Sequence, residues 1–177
     1  MADKKKVLTP PIDLLETLPH GLGYILQLPN VGQASHHYGI VQANTLPTHL
    51  VRALGLPEAF PRVYYVCNVE NSPANHAHRN GTGVELMLVL AGQAKVRLWN
   101  PSGEFTDVPL APAEPGERFE MLVVLSGVWH YLQYVPGTIL AVHATVNYDR
   151  EAHYIEEPEA FFVDKVAFKD YRDSIPT

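Results

Sequence analysis

Three histidines and one glutamate fall at spacings that could build a reactive site. His76 and His78 flank a single alanine, Glu85 follows seven residues after His78, and His130 comes soon after the turn glycine Gly127. In an extended segment, residues i and i+2 point to the same side, so the two paired imidazoles can converge on one point. The pattern therefore predicts a cluster of imidazoles beside a carboxylate in the interior of a β-structure.

This set of side chains suits two kinds of chemistry. Three imidazoles and a carboxylate can ligate one Fe, Mn, Ni or Zn ion, and the ligands would be His76, His78, Glu85 and His130. Without a metal, the same groups form an acid/base cluster that can move protons next to a carbonyl, because imidazole titrates near neutrality. The residues alone leave both chemistries open, together with a site that binds a small molecule without turning it over.

The other histidines give weaker signals. His143 lies in a strand that we expect to be buried, where a hydrogen-bonded core histidine and a pocket residue fit equally well. The remaining five fall at loop or helix signals and receive no role: His20, His36, His37, His49 and His153.

A mostly β architecture must position the cluster. A short helix is predicted near residues 48–55, with Thr48 as its N-cap and Gly55 at its end, and a second helix is predicted in the C-terminal tail. Many short strands without interleaved helices favour a closed or sandwiched antiparallel fold. We expect residues 1–20 to form an N-terminal arm and residues 21–177 to form one domain. Runs rich in Val, Leu, Tyr and Phe predict strands over 22–28, 38–42, 62–69, 84–91, 94–99, 105–110, 118–125, 130–135 and 138–146.

Composition narrows the function classes. The 177 residues include 13 Lys and Arg against 19 Asp and Glu, a formal net charge of −6 at pH 7. Because nucleic acids and anionic membrane surfaces are negatively charged, this net charge argues against a protein whose main role is to bind either of them. No apolar run approaches the ~20 residues of a membrane span. With the single Cys67 and no export signal at the start of the sequence, we expect a cytoplasmic protein.

Taken in order, these segments resemble the cupin superfamily, and within it the 3,4-ketoisomerases that act on dTDP-linked 4-keto-6-deoxy sugars. His76-Ala77-His78-Arg79 is similar to that family's His-Ala-His-Lys signature, and Trp129-His130 is similar to its Trp-His pair. The resemblance covers roughly residues 60–165. The further matching segments are Arg62–Val66, Glu85–Gly92, Tyr148-Asp149 and Tyr154-Ile155.

The resemblance implies an all-β, single-domain cupin jelly-roll barrel that forms a homodimer and needs no metal or other cofactor. It implies an isomerase that moves the keto group of a nucleotide-linked sugar between C4 and C3 through an enediol. His76, His78 and Tyr64 would be catalytic, and the substrate would contact Arg62, Trp129, His130 and His143. Glu85 stands where these ketoisomerases tend to carry Gln, which keeps the metal-dependent alternative open.

Overall fold

Ten strands, one α-helix and one 3-10 turn make up the part of the chain that a computed structural model describes: residues 12–28, 46–67, 78–79 (backbone only), 83–100, 102–114 and 117–146. The helix α1 spans Thr48–Leu54, and the 3-10 turn spans Pro19–Gly21. The strands are β1 Asp13–Thr17, β2 Gly23–Leu28, β3 Arg62–Val66, β4 His78–Arg79, β5 Glu85–Ala91, β6 Ala94–Trp99, β7 Phe105–Leu110, β8 Phe119–Val124, β9 Trp129–Tyr134 and β10 Ile139–Ala144.

The strands form two antiparallel sheets with one hydrophobic core between them. One sheet has six strands in the order β1-β2-β8-β5-β10-β3, and the other has four in the order β4-β9-β6-β7. Because successive residues of a strand point to opposite faces, every second side chain enters the core. This arrangement confirms the predicted all-β jelly-roll fold. The core takes side chains from both sheets, among them Leu22, Ile25, Met87, Val89, Val96, Leu98, Leu122, Leu140 and Val142.

Helix α1 covers part of the outer face of the six-stranded sheet. Its buried Leu50 belongs to a second core with Leu26, Leu86 and Met121. The helix ends where predicted, at Gly55 in the left-handed conformation (φ 65°). Its beginning differs from the prediction: Thr48 is the first helical residue, and the N-cap position belongs to a proline whose fixed φ suits the helix entry. No helix in the described ranges is long and apolar enough to span a membrane.

Part of the predicted N-terminal arm belongs to the sheet. Asp13–Thr17 forms β1, which pairs with β2 at the sheet edge, and Arg118 Nη2 lies 3.1 Å from Asp13 Oδ2. The adjacent apolar residues Leu14 and Leu15 are 39% and 50% exposed. Because neither side chain is buried, the strand lacks the alternation of apolar and polar residues by which a half-buried strand is predicted. The predicted strand 38–42 and the predicted C-terminal helix lie outside the described residues.

The tight turn between β5 and β6 gives a stability prediction. Gly92 has φ 74°, and a Cβ at this position would lie 2.6 Å from Thr138 Oγ1 and 2.7 Å from Thr138 Cα. Thr138 is fully buried, its hydroxyl oxygen accepts from the Gln93 N–H, and its single proton is shared between the carbonyl oxygens of Gln93 and Val135, so it cannot move aside. We expect Gly92→Ala to lower the free energy of unfolding by about 3 kcal/mol.

Gly103→Ala is the matched control in denaturant unfolding. Gly103 has a similar φ of 81°, but nothing lies within 4 Å of a Cβ placed there. Its substitution should cost only the backbone strain, about 1 kcal/mol. Equal losses for the two variants would contradict the proposed clash with Thr138.

Candidate active site

The strand register places three predicted site residues on the inner face of the six-stranded sheet. Ala144 of β10 pairs with both Arg62 of β3 and Glu85 of β5, so these three side chains share one face. Tyr64 lies two residues after Arg62 and faces the same way. On the four-stranded sheet, His130 pairs with Leu98, a member of the inner core, and therefore also points between the sheets.

A buried carboxylate connects the two sheets at this point. The Tyr64 hydroxyl donates a hydrogen bond of 3.3 Å to Glu85 Oε1, and Glu85 Oε2 lies 3.3 Å from His130 Nε2. Glu85 and His130 are each 1% exposed. Each carboxylate oxygen therefore faces a different partner, a phenol on one side and an imidazole on the other.

The environment keeps Tyr64 as a neutral phenol. Burial raises the pKa of its hydroxyl above the ordinary value, the Glu85 carboxylate raises that pKa further, and the Arg62 guanidinium lowers it. The Arg62 guanidinium lies 4.5 Å from the centroid of the Tyr64 ring, within cation–π range. Because the net shift of the pKa is upward, Tyr64 remains a hydrogen-bond donor at neutral and moderately alkaline pH.

Tyr134 is a site neighbour that the sequence analysis missed. It lies four residues after His130 on β9, and its electrostatic interaction with Tyr64 contributes to the raised pKa of Tyr64. Burial also raises the pKa of the Tyr134 phenol itself. The signal was present in the sequence, since positions 130, 132 and 134 of one strand share a face.

The histidine pair falls at the border of the described residues. His76 lies outside them, and at His78 only the backbone is described. His78 opens β4 and pairs in register with His130 of β9. The backbone of His78 therefore lies next to that of His130.

Two predicted substrate contacts lie away from this cluster. Trp129 precedes His130 and therefore points to the other side of its sheet, where it packs with Trp99 and Tyr131. His143 pairs with Val63 and Leu86 on the outer face of the six-stranded sheet.

The surroundings of His143 differ from those of the cluster. The residue is half-buried, and burial lowers the pKa of its imidazole. The structure therefore separates Trp129 and His143 from Arg62, Tyr64 and His130, with which the sequence analysis had grouped them.

Only part of the alternative metal-ligand set can be located. Glu85 and His130 face each other, as that alternative requires, whereas the side chains of His76 and His78 are not described. Among the residues with described side chains, no group of three or more His, Cys, Asp or Glu could hold a metal ion.

Comparison with known proteins gives matches at the level of structure. A scan against protein-family models and a search of curated protein sequences found no match. A TDP-quinovose 3,4-ketoisomerase from Campylobacter jejuni matches with a TM-score of 0.60 at 17% identity, covering 78% of this chain and 95% of that one. The 3,4-ketoisomerase QdtA from Thermoanaerobacterium thermosaccharolyticum, solved with TDP, matches with a TM-score of 0.59 at 19% identity, covering 82% and 94%.

An epimerase has the same architecture. The 4-keto-6-deoxy sugar epimerase NovW from the novobiocin gene cluster of Streptomyces spheroides matches with a TM-score of 0.67 at 10% identity, covering 85% of this chain and 76% of that one. Similarity at such identities establishes the fold. The chain therefore has the cupin jelly-roll fold of these ketoisomerases and epimerases, as the resemblance in its sequence implied.

Proposed function

We propose that the protein is a sugar-nucleotide isomerase that moves the keto group between C4 and C3 of a dTDP-linked 4-keto-6-deoxy sugar. The observation that carries this proposal is the inner cluster of Arg62, Tyr64, Glu85 and His130, beside the strand that begins at His78. It occurs on a fold shared with 3,4-ketoisomerases and with a 4-keto-6-deoxy sugar epimerase.

The reaction needs proton transfers at two carbons, C3 and C4, and at the oxygens that they carry. A base removes the proton from C3, the electron pair of the C3–H bond forms the C3=C4 double bond, and the C4 carbonyl becomes an enediolate oxygen. The C3 hydroxyl then loses its proton to form the new carbonyl, the electron pair of the C3=C4 bond takes up a proton at C4, and the C4 oxygen takes up a proton to become a hydroxyl. We assign these transfers to His76 and His78, because an imidazole with pKa near 6.5 can serve as base and, once charged, as acid.

Tyr64 would stabilise the developing negative charge. Its raised pKa keeps the proton on the hydroxyl, and rotation of that hydroxyl can turn the proton from Glu85 toward a substrate oxygen. A well-placed donor of this kind contributes about 3 kcal/mol to transition-state stabilisation in comparable sites.

Arg62 would bind the anionic part of the substrate. In a chain with a net charge of −6, a dianionic diphosphate needs a local cation, and Arg62 is half-buried beside Tyr64. We expect Arg62→Met to weaken TDP binding about tenfold by calorimetry, because a charge-assisted hydrogen bond is lost. Arg52→Met, an exposed change on α1, should leave the Kd unchanged. Equal Kd values for both variants and the wild type would show that Arg62 does not contribute to TDP binding.

The proposal includes a homodimer in the cytoplasm. Within the described residues β3 is an edge strand, and its apolar Val63 is 42% exposed, which supports contact with a second copy. The exposed free thiol of Cys67 suits a reducing compartment. Light scattering should give twice the 19.7 kDa chain mass, and a single chain mass would contradict the dimer. Cell fractionation should recover the protein with the cytoplasmic enzymes, and recovery elsewhere would contradict the assigned compartment.

Incubation with dTDP-4-keto-6-deoxyglucose tests the proposed activity. NMR should detect a 3-keto sugar that accumulates in proportion to enzyme, and full recovery of unchanged substrate would contradict the proposal. The approach of His130 to Glu85 also favours the metal-dependent alternative, with one divalent ion as cofactor. If purified protein carries about one ion per chain and chelation abolishes turnover, the metal-independent reaction is rejected.

A further inference from the structure

We infer that Glu85 is a positioning residue, whose Oε1 accepts the hydrogen bond of the Tyr64 phenol and whose Oε2 lies at ion-pair distance from the His130 imidazole. The inference rests on the proposed function, because positioning matters for the reaction only if Tyr64 and His130 face the substrate. It assigns Glu85 a role other than that of a metal ligand.

Burial is the first argument. Glu85 is 1% exposed on an inner face where the next two side chains of its strand are the apolar Met87 and Val89. A buried carboxylate costs several kcal/mol unless its oxygens have partners. Packing alone would favour an apolar residue there, so the carboxylate is explained by the hydrogen bond that Oε1 accepts from Tyr64 and by the His130 imidazole at ion-pair distance from Oε2.

The identity of the partners is the second argument. Tyr64 belongs to β3 of the six-stranded sheet, and His130 belongs to β9 of the other sheet. Both lie 3.3 Å from Glu85, at Oε1 and Oε2 respectively. One carboxylate thus lies between a phenol that donates a hydrogen bond to it and an imidazole at ion-pair distance, and these two groups belong to different sheets.

This geometry has a catalytic consequence. A phenol whose oxygen lies beside a fixed acceptor and whose ring is held by Arg62 at 4.5 Å has fewer positions, so only rotation about its C–O bond is needed to turn its proton to the substrate. Misplacement of a reacting group by about 1 Å can cost about 10²-fold in rate. Loss of Glu85 should therefore lower kcat more than it alters KM.

Two substitutions at Glu85 separate positioning from metal ligation and from packing. Glu85→Gln keeps an acceptor for Tyr64 and a polar group for His130, so we expect kcat within about threefold of wild type. Glu85→Met fills a similar volume without either contact, and we expect kcat to fall about 10²-fold with KM changed by less than about threefold. In a Tyr64→Phe background, Glu85→Met should cost much less, because the hydroxyl that it positions is already absent.

Glu120 provides the matched control. It is an exposed residue on β8, and Glu120→Gln and Glu120→Met should leave kcat unchanged. Wild-type kcat in Glu85→Met would overturn the inference. An inactive Glu85→Gln protein that has also lost a bound metal would overturn it in favour of ligation.

A spectroscopic readout tests the contact without any substrate. With tyrosine labelled by ¹³C at Cζ, the Tyr64 signal is assigned as the one missing from Tyr64→Phe. Its shift should move in Glu85→Met and stay in place in Glu120→Met, and an unchanged shift in Glu85→Met would overturn the inference. If the signal moves in Glu85→Met but the wild-type protein converts no sugar, the proposed function is rejected while the positioning contact is still supported.

Discussion

Replacing His78 with asparagine is expected to lower kcat for ketoisomerisation by about 10²- to 10⁴-fold, the usual contribution of a positioned proton-transfer group. Asparagine retains a polar side chain of similar reach but cannot exchange a proton near neutral pH. The backbone pairing of His78 with His130 brings this position next to the inner cluster, and its assignment as a proton-transfer group follows the proposed reaction.

Two controls show whether the loss concerns chemistry. His49→Asn makes the same change on the exposed surface of α1 and should leave kcat at the wild-type value. Calorimetric binding of TDP should be unchanged in the His78 variant, because the variant loses a proton-transfer group and not a ligand contact. More than a tenth of wild-type kcat in His78→Asn would contradict the assigned role.

Tyr64→Phe is expected to reduce kcat by about 10²- to 10³-fold, because it removes the donor that faces the developing oxyanion. The raised pKa of Tyr64 gives a second expectation, which concerns the wild-type enzyme. An ordinary phenol with pKa ~10 would begin to lose its proton above about pH 9 and weaken catalysis there. Because the pKa of Tyr64 is raised, its hydroxyl loses its proton only at higher pH, so Tyr64 should cause no fall in kcat below about pH 10.

The adjacent Tyr65 is the control for this substitution. It lies on the outer face of β3 and is 61% exposed, so Tyr65→Phe should leave kcat and its pH profile unchanged. Equal activity of the Tyr64 and Tyr65 variants would show that the inner hydroxyl has no part in the reaction.

Strand periodicity predicts much of this fold and part of the site. Most strand boundaries lie within one or two residues of the runs of Val, Leu, Tyr and Phe, and alternation places Arg62 and Tyr64 on one face. The edge strand β1 escaped prediction because its leucines are exposed, so burial leaves no pattern in its sequence.

Alternation does not reveal which face of a strand is the inner one. Five of the six residues in β9 are buried, since the outer face carries the Trp99–Trp129–Tyr131 cluster and the inner face carries the core. The sequence therefore places Trp129 and His130 on opposite faces of the strand, but it could not show which of the two points inward. For the same reason the outward position of His143, between Val63 and Leu86, could be known only from the register of β10.

The contact between Tyr64 and Glu85 is another feature that sequence could not supply. The two residues are 21 positions apart, and β10 lies between their strands in the sheet. Only the completed order β5-β10-β3 brings the carboxylate within reach of the phenol. The spacing in the sequence indicated that Glu85 belongs with the histidines, but not which atoms its oxygens face.

The position of deuterium after turnover in D₂O tests the central claim most directly. Migration of the keto group from C4 to C3 requires that C3 lose its proton and that C4 gain one from a group in exchange with solvent. With dTDP-4-keto-6-deoxyglucose, NMR should therefore show deuterium at C4 of the 3-keto product and unexchanged hydrogen at C5. Deuterium at C5, as an epimerase would introduce it, or no exchange at any carbon would contradict the account.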